Sequence, residues 1–309
     1  MGYSQLSSPV AVVGCGSIGA SWAALFAAYG LVTLVYDPNP AAEIFLNTIV
    51  EEAVKTLASL GHFTDKGESD HLARVLAKVT FTTDLESALK GAVLVQENGP
   101  EDLTIKLDLL HKLDELLDAS VPILTSTSGL TCSSMQAALA RFPERFAVGH
   151  PFNPAHLIPL VEIVGGKKTS SETLEKAKEF YLSVGRKPVV LKVEVPGHIA
   201  NRLQSALFRE IMYMVKEDIA SIADIEIAME FGPGLRWGVM GPSALMHLGG
   251  GPGGAEYYAE KLLSPLLTWN APGDFVVDEE TKKKWVAQTL QVIANESYVE
   301  LSRRGILVS

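Results

Sequence analysis

No charged residue precedes Asp37 in this chain. That run of 36 uncharged residues narrows the accessible folds more than any other feature. Two structures tolerate such a run: a membrane span, or strands of a parallel sheet buried on both faces. Gly14, Gly16, Gly19 and Gly30 cut it into pieces too short to cross about 30 Å of hydrocarbon. It also carries no basic n-region of a signal peptide. The parallel-sheet reading is therefore preferred, with no membrane partner. Residues 9–13 form a short buried strand, residues 17–29 a helix closed by Gly30, and residues 31–36 a second strand. Together they make one right-handed βαβ unit.

The turn inside that unit reads Gly14-Cys15-Gly16-Ser17-Ile18-Gly19, a G-x-G-x-x-G pattern between a strand and a helix. Each glycine has a task in a dinucleotide site. Gly14 allows the tight turn, Gly16 lets a pyrophosphate approach the backbone, and Gly19 lets helix and strand pack closely. The amides at the start of the helix, those of Ser17 and Ile18 included, face the phosphates with the positive end of the helix dipole. Asp37 follows Gly19 by 18 residues and closes the second strand. A carboxylate there accepts from both ribose hydroxyls of NAD and repels the 2′-phosphate of NADP. The next residues, Pro38-Asn39-Pro40, bring no arginine to hold that phosphate. The expected cofactor is NAD.

Strands alternate with helices as far as residue 195. Further strands are expected at 79–82, 92–96, 121–125, 145–149, 159–164 and 188–193. Helices are expected at 41–60, 68–78, 103–117, 133–140 and 171–184. After Pro196-Gly197 only helices are predicted. The first of them, 198–220, carries Ile199, Leu203, Leu207, Ile211, Met214 and Ile219 on one stripe. Gly-rich turns at 232–238 and 249–254 separate later helices, and the last spans 279–304. The fold class is thus α/β: a Rossmann-type doubly wound parallel sheet over 1–195, then a smaller all-helical C-terminal domain over 196–309 for substrate binding and dimerisation.

Composition excludes other classes. Lysine and arginine number 26 against 36 acidic residues, a formal charge of -10 with no basic run, so no nucleic-acid partner is expected. Two cysteines, Cys15 and Cys132, make neither a disulfide framework nor a zinc cluster, so the expectation is a reducing, cytoplasmic setting and no metal. His62, His71, His111, His156, His198 and His247 show no ligand spacing.

One histidine stands apart. Gly149-His150-Pro151-Phe152-Asn153-Pro154 follows a strand, at the edge where doubly wound sheets bind ligands. Glu162 comes 12 residues later, between Val161 and Ile163. A glutamate buried there needs a partner. His150 would serve: at about 4 Å and an effective dielectric near 20 the attraction is roughly 4 kcal/mol. A carboxylate so placed fixes the imidazole tautomer and stabilises the imidazolium, which suits a general base for an alcohol. Spacing alone leaves a second reading open, a satisfied core histidine and an edge-strand glutamate facing water.

Five ordered motifs resemble the L-3-hydroxyacyl-CoA dehydrogenase superfamily, and more closely its short lambda-crystallin/L-gulonate 3-dehydrogenase and L-carnitine dehydrogenase branches. They are the glycine motif with Asp37, Gln96-Glu97-Asn98-Gly99-Pro100-Glu101 with Lys106, Ser126-Thr127-Ser128-Gly129-Leu130, His150-Pro151-Phe152-Asn153-Pro154 with Glu162, and Pro196-Gly197-His198-Ile199-Ala200-Asn201-Arg202-Leu203. The resemblance implies that His150 takes the proton of a 3-hydroxyl while hydride moves to NAD, with Glu162 orienting it. It implies that Ser128 and Asn201 hold the reacting oxygen and that Asn153 positions substrate. It places Glu101 and Lys106 near the nicotinamide ribose, and it implies a homodimer.

Departures from the family point to the substrate. The acyl-CoA enzymes tend to carry lysines after the second strand, where the CoA nucleotide binds. Here residues 41–66 hold only Lys55 and Lys66 beside Glu43, Glu51, Glu52 and Asp65. That favours a small free hydroxy acid over a CoA thioester. The segment 231–237 resembles a loop of the two short branches. Arg236 would clamp a carboxylate and Trp237 would face a quaternary ammonium. Asn201 stands where the carnitine branch tends to have Asp, and Met246-His247-Leu248 resembles the gulonate branch, so both substrates stay open. The rivals are a true L-3-hydroxyacyl-CoA dehydrogenase and a non-catalytic, crystallin-like NAD-binding protein.

Overall fold

The computed structural model describes residues 8–63, 71–266, 268–269 and 271–295. The chain divides into two compact units, Met1–Arg202 and Leu203–Ser309.

The first unit is built on eight strands: β1 (Val10–Val13), β2 (Thr33–Tyr36), β3 (Val79–Thr82), β4 (Val95–Glu97), β5 (Ile123–Thr125), β6 (Phe146–Pro151), β7 (Leu160–Gly165) and β8 (Lys187–Val190). Their order is β3-β2-β1-β4-β5-β6-β7-β8. All neighbours are parallel except β6 and β7, which pair antiparallel. Order reverses between β1 and β4, and at such a point the loops leaving the strands part to form a crevice. Val13 lies opposite both Tyr36 and Glu97, and Glu97 lies opposite Thr125. Four strands therefore end level along one edge.

The uncharged beginning of the chain is explained by β1. Val10 and Val12 enter a core on one face, with Trp22, Phe26, Phe180 and Tyr181. Ala11 and Val13 enter a core on the other, with Leu110, Leu113 and Met135. Alternate side chains point to opposite faces, so a strand covered on both sides has no position for a charge. The covering helices are α1 (Ser17–Ala28), α2 (Ala42–Ser59), α3 (His71–Leu76), α4 (Leu85–Leu89), α5 (Leu103–Leu116), α6 (Cys132–Met135) and α7 (Ser171–Ser183).

Several boundaries differ from expectation. The strand expected at 92–96 is Val95–Glu97, which puts Glu97 on the sheet. The helix expected at 133–140 is one α turn and a 3-10 turn, Gln136–Ala138. Helix α4 was missing from the expectations; Asp84 caps it by accepting from the Ser87 amide. Residues 68–70 of the helix expected at 68–78 lie outside the described residues.

Helix α8 (Ala200–Lys216) starts later than the predicted 198 because Gly197 and His198 adopt positive φ, 75° and 53°. The remaining helices are α9 (Ile222–Phe231), α10 (Pro233–Trp237), α11 (Pro242–Gly249), α12 (Gly254–Lys261), α13 (Leu263–Leu266) and α14 (Glu279–Asn295). The segment expected as a Gly-rich turn at 232–238 is therefore mostly helical: Pro233 at the first position pre-sets φ for a helix. Residues 296–304, expected in the last helix, lie outside the described residues. The second unit has a small core around Ile211, Val215, Ile222 and Ile225. Leu203, Phe208, Ile227, Phe231 and Val239 are exposed. No described helix is long and apolar enough to cross a membrane.

Candidate active site

The glycine turn has the shape a dinucleotide requires. Gly14 has φ 91°, and a Cβ there would meet the Asn98 backbone at 2.8 Å. A Cβ on Gly19 would lie 1.8 Å from the Gly14 carbonyl oxygen, so helix and turn meet backbone to backbone. Gly16 instead faces open space, and it and Ser17 are exposed. No side chain caps the start of α1. Its first amides, including that of Ile18, are thus disposed to receive an anion. Asp37 accepts from the Cys15 amide through Oδ2 and from the Asn39 amide through Oδ1, both at 2.9 Å. This holds the carboxylate beside the turn, where an adenosine ribose would arrive. These residues fit NAD. Cys15 is no nucleophile: burial first, then Asp37, pushes its thiol up to about 12.

Beside the turn lies a closed ionic cluster. Glu97 and Lys106 are fully buried. The Lys106 ammonium donates to Glu97 Oε1 at 3.0 Å, Glu97 Oε2 at 2.9 Å and the Gly99 carbonyl at 3.1 Å. An ammonium has three donors, and all are engaged. Lys106 therefore braces the 97–99 turn with all three of its donors. Glu97 Oε2 also accepts from the Thr125 hydroxyl at 2.6 Å. Glu101 gathers the next loop: its Oε1 accepts from the Thr127 hydroxyl at 2.6 Å and from the Ser128, Gly129 and Leu130 amides. Partial burial raises the Glu101 pKa. The bonds from Thr127 and Gly129 outweigh it and hold the carboxyl below the usual range.

The antiparallel pairing of β6 with β7 sets His150 directly opposite Glu162. Both are buried, at 4% and 1% exposure. His150 Nδ1 and Glu162 Oε2 are 3.0 Å apart. Glu162 Oε1 accepts from the Ile199 and Ala200 amides at 2.8 and 3.0 Å. Burial favours the neutral acid, but the bonds from His150 and these amides prevail and keep Glu162 ionised. An ionised carboxylate only accepts, so the imidazole hydrogen sits on Nδ1. Nε2 then presents a lone pair, 3.2 Å from the hydroxyl of exposed Ser128. Asn201 Nδ2 approaches the Ser128 carbonyl at 3.5 Å. Asn153 is exposed in the loop after β6. Arg236 and Trp237 are exposed on α10, in the second unit.

A polar network under this edge escaped the sequence reading. The Tyr181 hydroxyl donates to Gln96 Oε1 at 2.7 Å. Gln96 Nε2 donates to Ser126 Oγ at 2.9 Å, Trp22 Nε1 donates to it at 3.2 Å, and Ser126 donates to Asn98 Oδ1 at 2.7 Å. The Tyr181 hydroxyl would lie 1.9 Å from a Cβ on Gly149. Glycine just before His150 thus admits the tyrosine that braces the strand. The available signal was Gln96, a polar residue inside an apolar strand.

Family models agree with this architecture. Residues 9–194 match the NAD binding domain of 3-hydroxyacyl-CoA dehydrogenase, and residues 197–280 match its C-terminal domain. An L-carnitine dehydrogenase of Streptomyces coelicolor is 43% identical over 267 residues, covering 85% of this chain and 81% of that protein. A 3-hydroxyacyl-CoA dehydrogenase of Gibberella moniliformis is 41% identical over 260 residues, covering 84% and 78%. Among solved structures, 5-formyl-3-hydroxy-2-methylpyridine 4-carboxylic acid 5-dehydrogenase, an NAD+-dependent dismutase, superposes with a TM-score of 0.81 at 29% identity, covering 97% of this chain and 98% of the other. With both domain models matched in order along one chain, the protein belongs to the 3-hydroxyacyl-CoA dehydrogenase family and is an NAD-dependent oxidoreductase acting on a CH–OH group.

Proposed function

We propose that the chain oxidises the 3-hydroxyl of a small free L-3-hydroxy acid, of L-carnitine type, to the 3-oxo acid, with His150 as general base. The observation that carries this is the asymmetry of the His150 ring. Nδ1–H is spent on a buried carboxylate, while Nε2 reaches an exposed serine hydroxyl. A substrate hydroxyl beside Ser128 meets the lone pair of Nε2, which takes its proton. NAD held at the glycine turn would supply the acceptor for the hydride leaving the same carbon. Glu162 stabilises the imidazolium as it forms and keeps the ring from turning. Ser128 and Asn201 hold the oxygen on which the carbonyl develops, and Asn153 borders the same edge. Gly14, Gly16, Ser17, Ile18 and Gly19 hold the pyrophosphate, Asp37 the adenosine ribose, and Glu101 shapes the loop beside the nicotinamide end.

Charge supports a free acid over a thioester. Between residues 41 and 63 the one lysine is Lys55, which pairs with Glu51 at 2.6 Å; Asp65 and Lys66 lie outside the described residues. Glu43 and Glu52 stand on the same helix. A CoA phosphate would find no free lysine on that helix. By their chemistry Arg236 suits a carboxylate as a bidentate donor, and Trp237 offers a face for a quaternary ammonium. The L-carnitine dehydrogenase relatives agree with that chemistry. We read the exposed apolar side chains of the second unit as the face of a homodimer. A purely monomeric 33.2 kDa species in sedimentation would contradict this.

The test is NADH formation with L-carnitine, L-gulonate, L-3-hydroxybutyrate and L-3-hydroxybutyryl-CoA side by side. Turnover of L-carnitine well above the thioester is expected. Exclusive turnover of the thioester would overturn the argument from α2. NAD binding with no turnover of any of the four would favour a non-catalytic role.

A further inference from the structure

His198 has no part in the reaction described so far, yet its ring lies 4.9 Å from that of His150, centroid to centroid. It is 2% exposed. Its Nε2 is 3.2 Å from the Thr127 carbonyl oxygen, which only accepts, so Nε2 carries a hydrogen. Its Nδ1 is buried without a hydrogen-bond partner among the described residues. A hydrogen there would make a charged ring with an unanswered buried donor; a bare lone pair is the less costly state. The ring is therefore neutral. Burial above all keeps its pKa below the usual histidine range. The Thr127 bond opposes that, His150 reinforces it, and Glu162 and Glu101 oppose it.

The backbone is equally specific. His198 sits at φ 53°, a region that non-glycine residues enter only when their surroundings hold them there. The turn it makes delivers the next two amides, those of Ile199 and Ala200, to Glu162. His198 thus meets the loop of Ser128 through Thr127, the base through ring contact, and the base's carboxylate through its own chain.

We infer that His198 is a positioning residue for the reaction at His150. Its uncharged ring ties the Thr127 carbonyl, and with it the Ser128 loop, to the turn that feeds Glu162, and it must remain uncharged for His150 to take up a proton. The inference rests on His150 being the base. Two groups must then be unprotonated for turnover. On the acid side log kcat/KM falls with a slope approaching about two, once pH is below both ionisations.

The experiment compares the parent enzyme with His198→Phe, His198→Gln and His150→Gln, using L-carnitine and NAD from pH 4 to 9. Imidazole nitrogens of the parent are followed by NMR after 15N-histidine labelling. In His198→Phe the acid slope should drop to about one, with kcat lowered about tenfold through misplacement of the Ser128 loop. His198→Gln keeps an N–H for Thr127; its slope should also be about one, with most of kcat restored. The parent spectrum should show His198 neutral with its hydrogen on Nε2, and this reading needs neither substrate nor variant. A His198 hydrogen on Nδ1, or a charged ring at pH 7, would overturn the inference. So would an unchanged slope and kcat in both variants while His150→Gln is inactive. An active His150→Gln would instead overturn the base assignment, and this inference with it.

Discussion

Two buried acid–base pairs lie at the carboxyl edge of the sheet, and they differ in what is left over. In Glu97–Lys106 every donor of the cation is engaged within the protein. In Glu162–His150 the base keeps one nitrogen beyond its carboxylate, facing an exposed hydroxyl. Burial is similar in the two. What separates a brace from a reaction centre is the unspent heteroatom at the surface.

The contrast is broken most severely by Lys106→Met. It leaves Glu97 buried without its cation, which costs about 3–5 kcal/mol. Against a total stability of roughly 5–15 kcal/mol that is a large loss. Chemical denaturation should register it as a lower midpoint. If the variant were as stable as the parent but weak for NAD, Lys106 would be a cofactor ligand after all.

Glu162→Gln sharpens the other side. The amide oxygen can still accept from Ile199 and Ala200, so the amide nitrogen then faces His150 and donates to Nδ1. The imidazole hydrogen is displaced to Nε2, and the ring can no longer take a proton there. We expect kcat to fall roughly 10²- to 10³-fold. Stability should change less than in Lys106→Met. Full activity in this variant would mean that Glu162 does not set the tautomer.

A smaller effect is expected in acid. Glu162 and Glu101 are both held below the ordinary carboxylate range. Their contribution to stability is complete above the unfolded value of about 4.3 and is lost as pH falls through their lower folded values. Melting temperature should therefore be insensitive to these two groups at pH 6–8 and fall below about pH 4. Glu101→Gln should flatten that fall by removing one of the two. An unaltered acid limb would mean that Glu101 organises the 127–130 loop without any net preference for its charged form.

Legibility followed the same division. The unit β1–α1–β2 was open to sequence reading because a strand buried on both faces excludes charge, and a glycine turn has few alternative tasks. Glu162 stood out as a charged residue in an apolar strand, and His150 as a histidine just after one. Their direct opposition did not, because spacing leaves the sense of a strand pair open until the hairpin is seen. The bracing of the 97–99 turn by Lys106 was hidden for a related reason: its acceptors come from a strand and a turn earlier in the chain. His198 was hidden in a motif whose other members drew the attention, and its backbone conformation leaves no periodic signal. In the second unit the segment 233–237 was read as a turn from its glycines, although Pro233 at its start favours a helix.

The central claim, that His150 Nε2 is the proton acceptor, is tested most directly by NADH formation in His150→Gln, with NAD affinity measured on the same sample. The account predicts a loss of kcat of at least about 10²-fold with NAD affinity unchanged. Turnover within a few-fold of the parent, with NAD bound equally well, would contradict it.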